Sequence, residues 1–380
     1  MNLFIKSKRR GSGKKRVIFV TREGYNLSGA RVRCYGFARE LQKRGMETHV
    51  FSFADHGGAL YGEREKEMSA REKLRLNFLA FKKLKALAEN SFIFMQRFNY
   101  HSLAPFILSL KKNNTLIFDV DDWDMAENSR YYCNIFPSSK MEFLVRLFAR
   151  YAGACVASSR YLYHYLKQFN GNVFYIPTGV DCEKFFPSGQ AQTGDIVHLS
   201  WAGTAYHPEM GDNIAFILDC FSILSSRNKN IVLHLAGGGE YFSRLCLSIE
   251  RHPCRDMIRV DGWILPDEMP NYLSGMDIGY LPLIQDTRFN KAKSPTRLFE
   301  YMAAAKPVIA SRTGEARRII IHNKTGFLAE DKEKFISYSE FLINNAGKRA
   351  EMGNAARASA EENYSLHVLG ERLYAILSMI

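Results

Sequence analysis

The feature that most constrains the fold is a regular alternation of short apolar runs with helical patterns. In the first half of the chain, β-branched and aromatic residues concentrate in the runs 16–21, 48–53, 92–96, 115–120, 154–157 and 173–176. Helical patterns separate these runs, as in residues 30–44, where apolar residues recur on one face before Gly45. Because parallel strands need such crossover connections, the pattern predicts a parallel sheet with helices on both faces.

A second series of the same kind follows a segment rich in turn-forming residues. This segment comprises residues 177–181 and 187–194. Strand patterns then recur at 196–202, 231–236, 257–260, 278–281, 307–310 and 326–328. The length of 380 residues also suits two cores better than one. We therefore predict two Rossmann-like α/β domains facing across a cleft, residues 1–185 with the C-terminal helix 364–380, and residues 195–363.

Composition narrows the class of protein. No run of about 20 apolar residues occurs, so no membrane-spanning helix is predicted. The seven cysteines are scattered without a C-x-x-C pair, which favours free thiols in a reducing cytosol. The net charge of +13 is compatible with three partners, namely nucleic acid, an anionic membrane or phosphorylated substrates. The alternative is a solvated basic surface with no specific partner. A nucleic-acid partner is disfavoured, because the cations do not alternate with aromatic residues and no nucleic-acid motif appears.

The strongest chemical signal is a predicted helix that begins near Ser294. Serine caps helices and the following proline suits a first turn. Arg288, Lys291 and Lys293 precede it, and a helix N-terminus ringed by cations can hold an anion. Glu300 lies about two turns in, where its carboxylate could accept hydrogen bonds from the adjacent hydroxyls of a ribose. The alternative is a capped surface helix with solvated charges.

This stretch, residues 293–311, resembles the donor-site signature of retaining nucleotide-sugar glycosyltransferases of GT-B architecture, the glycosyl transferases group 1 type. Further segments match that family in the same order, namely 28–31, 176–181, 203–204, 236–239, 277–283 and 325–328. The resemblance implies an acceptor-side first domain and a second domain that binds the donor nucleotide. It also implies a hexosyltransferase-type enzyme that retains anomeric configuration and needs neither metal nor cofactor.

The resemblance implies roles for individual residues. Lys293 and Asp121 are the expected catalytic residues. Lys293 is expected at the donor diphosphate, with Arg297 as a second candidate, and Asp121 or Asp122 is expected to orient sugar or acceptor hydroxyls. The donor-binding residues it implies are Gly29, Gly203, Thr204, Gly238, Trp263, Ile264, Ser294, Pro295, Thr296, Arg297 and Glu300. The sequence departs from the family in two places. Ala292 stands where the family usually has a glutamate that touches the donor sugar, and residues 203–209 lack the usual arginine and lysine.

Acidic residues end one strand of the first domain. Asp119, Asp121 and Asp122 occupy the edge of a parallel sheet that faces the cleft. An Asp-x-Asp motif holds manganese in a different glycosyltransferase fold, but no other ligand cluster appears here, so no metal is predicted. For Asp122, capping the helix that follows is the alternative role.

A basic amphipathic pattern covers residues 71–88. Leu74, Phe78, Phe81 and Leu84 recur at helical spacing among lysines and arginines. Together with the basic residues 6–16, this pattern suits an anionic membrane surface, whereas an ordinary core-facing helix is the alternative. The expected location is therefore cytoplasmic, either free or peripheral at the inner face of the plasma membrane.

The function predicted from the sequence is transfer of a sugar from a nucleotide-sugar donor to a glycan or lipid-linked acceptor. Such a reaction fits cell-surface polysaccharide biosynthesis. A catalytically weak sugar-nucleotide-binding protein on the same fold is the alternative, because Ala292 and Thr204 replace expected groups. A sugar-nucleotide epimerase could share the architecture.

Overall fold

The computed structural model describes residues 16–57, 68–123, 125, 139–187 and 196–380. The first domain contains one parallel sheet of six strands in the order β2-β1-β3-β4-β5-β6. Its strands are β1 (Arg16–Thr21), β2 (Thr48–Ser52), β3 (Ser91–Gln96), β4 (Thr115–Val120), β5 (Ala154–Ala157) and β6 (Val173–Tyr175). The basic residues 6–15 lie outside the described part of the chain.

The second domain repeats this plan. Its six parallel strands run in the order β12-β11-β10-β7-β8-β9. They are β7 (Val197–Thr204), β8 (Ile231–Gly238), β9 (Ile258–Gly262), β10 (Ile278–Leu281), β11 (Val308–Ser311) and β12 (Gly326–Ala329). The predicted fold class, two Rossmann-like α/β domains, is confirmed.

Helices cover both faces of each sheet. Helix α1 spans residues 28–43 as Ser28–Ala30, the π-helical Arg31–Gly36 and Phe37–Lys43. The other first-domain helices are α2 (Phe53–Gly57), α3 (Ala70–Leu84), α4 (Leu103–Ser109), α5 (Ser139–Tyr151) and α6 (Arg160–Lys167), with a 3₁₀ turn at Tyr100–Ser102. The second half contributes α7 (Pro208–Arg227), α8 (Glu240–Ile249), α9 (Met269–Ser274), α10 (Arg288–Ala292), α11 (Thr296–Ala303), α12 (Ala316–Ile319), α13 (Lys332–Asn344), α14 (Ala346–Asn363) and α15 (Leu366–Met379), with a 3₁₀ turn at Arg255–Met257.

The last helix returns to the first domain. Leu369 and Leu373 of α15 are fully buried in the same apolar cluster as Val17 and Phe19 of β1. In the preceding helix, α14, Arg357 donates a hydrogen bond to the carbonyl of Phe185, 2.6 Å away. The chain therefore crosses between the domains twice, and the two crossings lie side by side.

Buried polar contacts fix the two domains against each other. The backbone N–H of Thr178 donates to the hydroxyl of Ser294 over 3.1 Å. Glu315 of the second domain accepts hydrogen bonds from the backbone N–H of Arg160 and from the hydroxyl of Tyr175, each over 2.8 Å. Because Glu315 is buried away from water, these hydrogen-bond donors from the opposite domain replace the hydration that its carboxylate loses.

Candidate active site

A cleft of about 200 Å³ lies between the carboxyl ends of the two sheets. Three of the ionic residues in its first-domain wall follow neighbouring strands. Glu23 follows β1, Arg97 follows β3 and Asp121 follows β4, and these three strands are adjacent in the sheet. Ligands of open α/β sheets bind at this edge, so the sheet topology itself directs the three side chains toward a ligand.

The three side chains form one hydrogen-bonded group. Arg97 donates to Glu23 Oε1 over 3.1 Å, to Asp121 Oδ2 over 3.1 Å, and through Nε to Asp121 Oδ1. The side-chain amide of Gln96 also donates to Asp121 Oδ2, over 2.9 Å. Burial alone would raise the pKa of Asp121, but Arg97, Arg33 and Gln96 together outweigh burial and hold the pKa below its ordinary value. Asp121 is therefore a carboxylate that accepts hydrogen bonds at neutral pH.

The backbone conformation of Arg97 and the absence of a side chain at Gly29 are two local features of this ionic group. Arg97 adopts a φ of +56°, a left-handed conformation that is unfavourable for a side chain as large as arginine. A Cβ at Gly29 would lie 3.1 Å from both Arg97 Nη2 and Glu23 Oε2, and 3.3 Å from Asp121 Oδ2. Glycine thus lets the start of α1 approach the ionic group closely.

Glycines also shape the opposite wall. A Cβ at Gly237 would lie only 2.1 Å from the carbonyl oxygen of Gly203, so the ends of β7 and β8 can meet only without side chains. Of the residues predicted here, Gly203, Thr204, Trp263 and Ile264 line the cleft. Gly238 does not line the cleft, but its neighbour Gly237 does. Gly238 faces the Trp263 ring.

Positive charge concentrates at the second-domain end of the cleft. Lys293 Nζ lies 4.3 Å from the centroid of the Phe289 ring and 3.6 Å from Met210 Sδ, with no acidic partner among the described residues. Helices α7 and α11 begin at this end and α1 begins on the opposite, first-domain wall, since residues at or next to the start of each helix line the cleft. The residues predicted around the start of α11, namely Ser294, Pro295, Thr296 and Arg297, line the same wall. Helix N-termini carry partial positive charge, so this corner suits an anion.

Glu300, predicted to hold a ribose, is buried and does not line this cleft. Its Oε2 accepts from Arg297 Nη1 within α11, and its Oε1 accepts from Arg31 Nη2 of the first domain over 3.4 Å. The carboxylate is therefore covered by two arginines, and a ribose could reach it only if one of them moved.

Asp119 and Ala292 do not face the cleft. Asp119 instead forms a fully buried bidentate pair with Arg33. Ala292 packs into the apolar core of the first domain, where α10 contacts α6. A glutamate side chain at position 292 would start from this buried contact and not from the cleft wall. Asp122 lines the cleft, and its carboxylate accepts from the backbone N–H of Trp123.

Comparison with known proteins identifies the families that the two halves of the chain match. Residues 27–184 match Glycosyltransferase Family 4, and residues 210–359 match Glycosyl transferases group 1, so the two matches cover most of the chain. Residues 210–359 place this part of the chain in the glycosyl transferases group 1 family.

Relatives of this chain carry glycosyltransferase names. The amylovoran biosynthesis glycosyltransferase AmsK of Erwinia amylovora is 26% identical over 165 residues, which are 43% of this chain and 40% of that protein. A GDP-mannose-dependent alpha-(1-6)-phosphatidylinositol monomannoside mannosyltransferase of Mycolicibacterium smegmatis is 24% identical over 218 residues, which are 54% and 56% of the two chains. The chain spans about half the length of the curated relatives it matches.

Solved structures show the same fold over nearly the whole chain. A sucrose-phosphate synthase from Thermosynechococcus elongatus superposes with a TM-score of 0.74 at 11% identity, covering 96% of this chain and 98% of that one. Anabaena Alr3699/HepE in complex with UDP-glucose superposes with a TM-score of 0.72 at 16% identity, covering 96% and 100%.

Glu23, Arg97 and Arg31 were not predicted as site residues from the sequence. A signal for the first two existed, because Arg97 directly follows a predicted strand, as Asp121 does, and Glu23 lies two residues after another. Sequence reasoning also raised a metal site at the acidic run and rejected it. Within the described residues, no group of three histidine, cysteine, aspartate or glutamate side chains could hold a metal ion.

Proposed function

We propose that this protein transfers a sugar from a nucleotide-sugar donor to a glycan or lipid-linked acceptor, with retention of configuration, in cell-surface polysaccharide biosynthesis. The observation that carries the proposal is the convergence of Lys293 and three helix N-termini on one cleft of a group 1 glycosyltransferase. The names of the relatives and the UDP-glucose complex of a structural neighbour support the donor class and the pathway.

The donor would lie across the cleft from one domain to the other. Its diphosphate would contact Lys293, Thr296 and the helix N-termini, and its base would meet the main chain of Trp263 and Ile264. The sugar would then extend toward the group formed by Glu23, Arg97 and Asp121. Asp121, held as an anion, would accept hydrogen bonds from sugar or acceptor hydroxyls.

The chemistry follows from where the charge develops. As the bond between sugar and phosphate breaks, the sugar becomes oxocarbenium-like and the diphosphate gains negative charge. Lys293 and the helix N-termini would stabilise that charge without a metal. The acceptor oxygen would then bond to the anomeric carbon on the face that the diphosphate leaves, and an oxygen of the departing diphosphate would take the acceptor proton, so the configuration is retained. Ala292 brings no carboxylate to this step.

Thermal unfolding in the presence of nucleotides tests the proposal. We expect one of UDP, GDP, ADP, CDP and dTDP to raise the melting temperature, since a ligand at 100 times its Kd stabilises the folded state by about 2.7 kcal/mol. The shift should be the same with EDTA as without it, because no metal is proposed. No shift with any nucleotide would contradict the donor site, and a shift abolished by EDTA and restored by manganese would contradict metal independence.

A second candidate function is sugar-nucleotide binding without efficient transfer. The covered carboxylate of Glu300 and the core-facing Ala292 favour it. Hydrolysis of the sugar nucleotide separates the two functions, because a transferase releases nucleoside diphosphate repeatedly and a binding protein does not.

We also propose that α3 contacts an anionic membrane. Its predicted apolar face divides in two: Leu84 is buried, whereas Leu74 and Phe78 are 59% and 56% exposed. Lys82 Nζ lies 4.6 Å from the Phe78 ring, so the exposed apolar surface carries positive charge. None of the helices that the structure describes has the length and apolar character needed to cross a bilayer.

Vesicle co-sedimentation tests this contact. We expect binding to phosphatidylserine vesicles that weakens as salt increases, since each surface cation adds about 1 kcal/mol. Phe78→Ser should reduce the bound fraction, whereas Leu247→Ser, at an exposed leucine of the second domain, should not. Equal binding to neutral and anionic vesicles, or equal effects of the two substitutions, would contradict the proposal.

A further inference from the structure

Arg31 belongs to the first domain but contacts the second. It lies in the first π-helical turn of α1, two residues after Gly29. Its Nη1 donates to the backbone carbonyl of Asn26 over 3.2 Å, and its Nη2 donates to Glu300 Oε1 over 3.4 Å. The guanidinium therefore spans the gap between the domains, and the same side chain lines the cleft that contains Lys293.

The second domain alone supplies little formal charge for a diphosphate. The segment that follows β7, residues 205–207, contains no lysine or arginine. Arg297 lines the cleft, but its Nη1 is bound to Glu300 Oε2 within the same helix. Lys293 is thus the one second-domain cation of this corner, among the described residues, that has no carboxylate partner. A nucleoside diphosphate carries at least two negative charges, so a further cation is needed.

The two contacts of Glu300 differ in how easily they can be exchanged. Arg297 is three residues away in the same helix, so α11 itself keeps that pair together. The contact with Arg31 joins residues 269 positions apart, and 3.4 Å is near the upper limit of a hydrogen bond. A ribose hydroxyl that donates to Glu300 Oε1 would replace the contact with Arg31 and leave that guanidinium beside the cleft.

We propose that Arg31 is a diphosphate-binding residue of the donor site, exchanged between Glu300 and the phosphate as the ribose takes Oε1. The inference rests on the proposed function, because it requires a nucleoside diphosphate in the cleft. Arg31 then supplies the charge that residues 205–207 lack. It also makes the diphosphate a ligand of both domains, since Lys293 belongs to the second and Arg31 to the first.

Binding of nucleotides that differ by one phosphate tests this role. The panel UDP, GDP, ADP, CDP and dTDP first identifies the base, and calorimetry then compares that diphosphate with its monophosphate. Arg31→Ala should weaken diphosphate binding roughly 10- to 100-fold, the loss expected for a charged hydrogen bond, and monophosphate binding by less than about threefold. Arg31→Lys should recover part of the diphosphate affinity, because it keeps the charge but not the planar geometry.

A matched control lies on the same helix. Arg39 also pairs with a carboxylate, Asp181, over 2.7 Å, but it does not line the cleft. Arg39→Ala should bind both nucleotides as the wild type does, and circular dichroism should show that every variant is folded. Unchanged or tighter diphosphate binding by Arg31→Ala, or an equal loss for both nucleotides, would overturn the role of Arg31. Wild-type protein that binds no nucleoside diphosphate would instead overturn the proposed function itself.

Discussion

Lys293→Ala is expected to lower kcat about 100- to 1,000-fold, the loss typical of removing one group that stabilises developing negative charge. The KM for the sugar nucleotide should change much less. The reason is that the diphosphate becomes more negative as the glycosidic bond breaks, so the ammonium group binds the transition state more strongly than the ground state. Lys293 is placed for this role because its partners, Met210 Sδ and the Phe289 ring, do not neutralise it.

Steady-state release of nucleoside diphosphate from the sugar nucleotide measures this effect. Lys291→Ala is the matched control, because that lysine lies two residues earlier, has a side chain that is 41% exposed and pairs with Asp286 over 2.9 Å. It should retain nearly full activity. Lys293→Arg should recover part of kcat, since it restores charge with a different geometry. Activity near that of the wild type in Lys293→Ala would show that the departing diphosphate lies elsewhere.

Most strands of both domains were predictable because they are buried on both faces, as β1, β3, β5 and β10 are. Parallel strands covered by helices appear in sequence as continuous apolar runs, and such runs have clear ends. The predicted bounds coincide with the observed ones for β1, β4, β5 and β10. Other boundaries differ by one to two residues, as for β8, which continues into Gly237 and Gly238 because glycines can pair closely there.

Helix α1 shows where local patterns stop being informative. The spacing predicts a face of Val32, Tyr35, Ala38 and Leu41, and of these Val32, Ala38 and Leu41 are buried. Arg33 lies outside that face, yet it is fully buried as well. Its burial depends on Asp119, 86 residues away, and no local pattern contains that pairing.

In the candidate site, too, local features were predictable from the sequence and contacts between distant residues were not. Ser294 was marked by a local helix-start signal, whereas Gly29 and Gly203 were marked by the family resemblance, and all three line the cleft. Glu300 was marked on the predicted helix, but its contact with Arg31, 269 residues away, is not a local signal, so the sequence did not indicate that two arginines cover it. The ribose role of Glu300 stays a prediction.

The largest effect on stability is expected from Asp119→Ala. Arg33 and Asp119 form a bidentate pair whose two side chains are completely buried, and Arg33 Nη1 also donates to the carbonyl of Ile176 over 2.9 Å. Removing the carboxylate leaves a buried guanidinium without its counter-charge, which typically costs about 3–5 kcal/mol. Urea unfolding followed by circular dichroism should therefore show the first domain unfolding at a much lower urea concentration.

Two further substitutions separate the charge effect from simple loss of packing. Asp181→Ala removes a carboxylate whose partner Arg39 is partly exposed, and it should cost no more than about 1 kcal/mol. Arg33→Met combined with Asp119→Leu replaces both charges by apolar groups, and it should recover most of the stability lost in Asp119→Ala. If that double variant were as unstable as the single one, the unpaired charge would not be the cause.

The same substitution connects the core to the cleft. The backbone N–H of Arg97 donates to the carbonyl of Asp119 over 2.7 Å, and this bond holds Arg97 in its left-handed conformation. Arg97 in turn positions Asp121 and Glu23. Asp119→Ala should loosen β4 and so disturb Arg97. We therefore expect reduced activity even without urea, where the variant is still folded. Restored stability in the double variant should restore that activity as well, because neither Arg33 nor Asp119 touches the cleft.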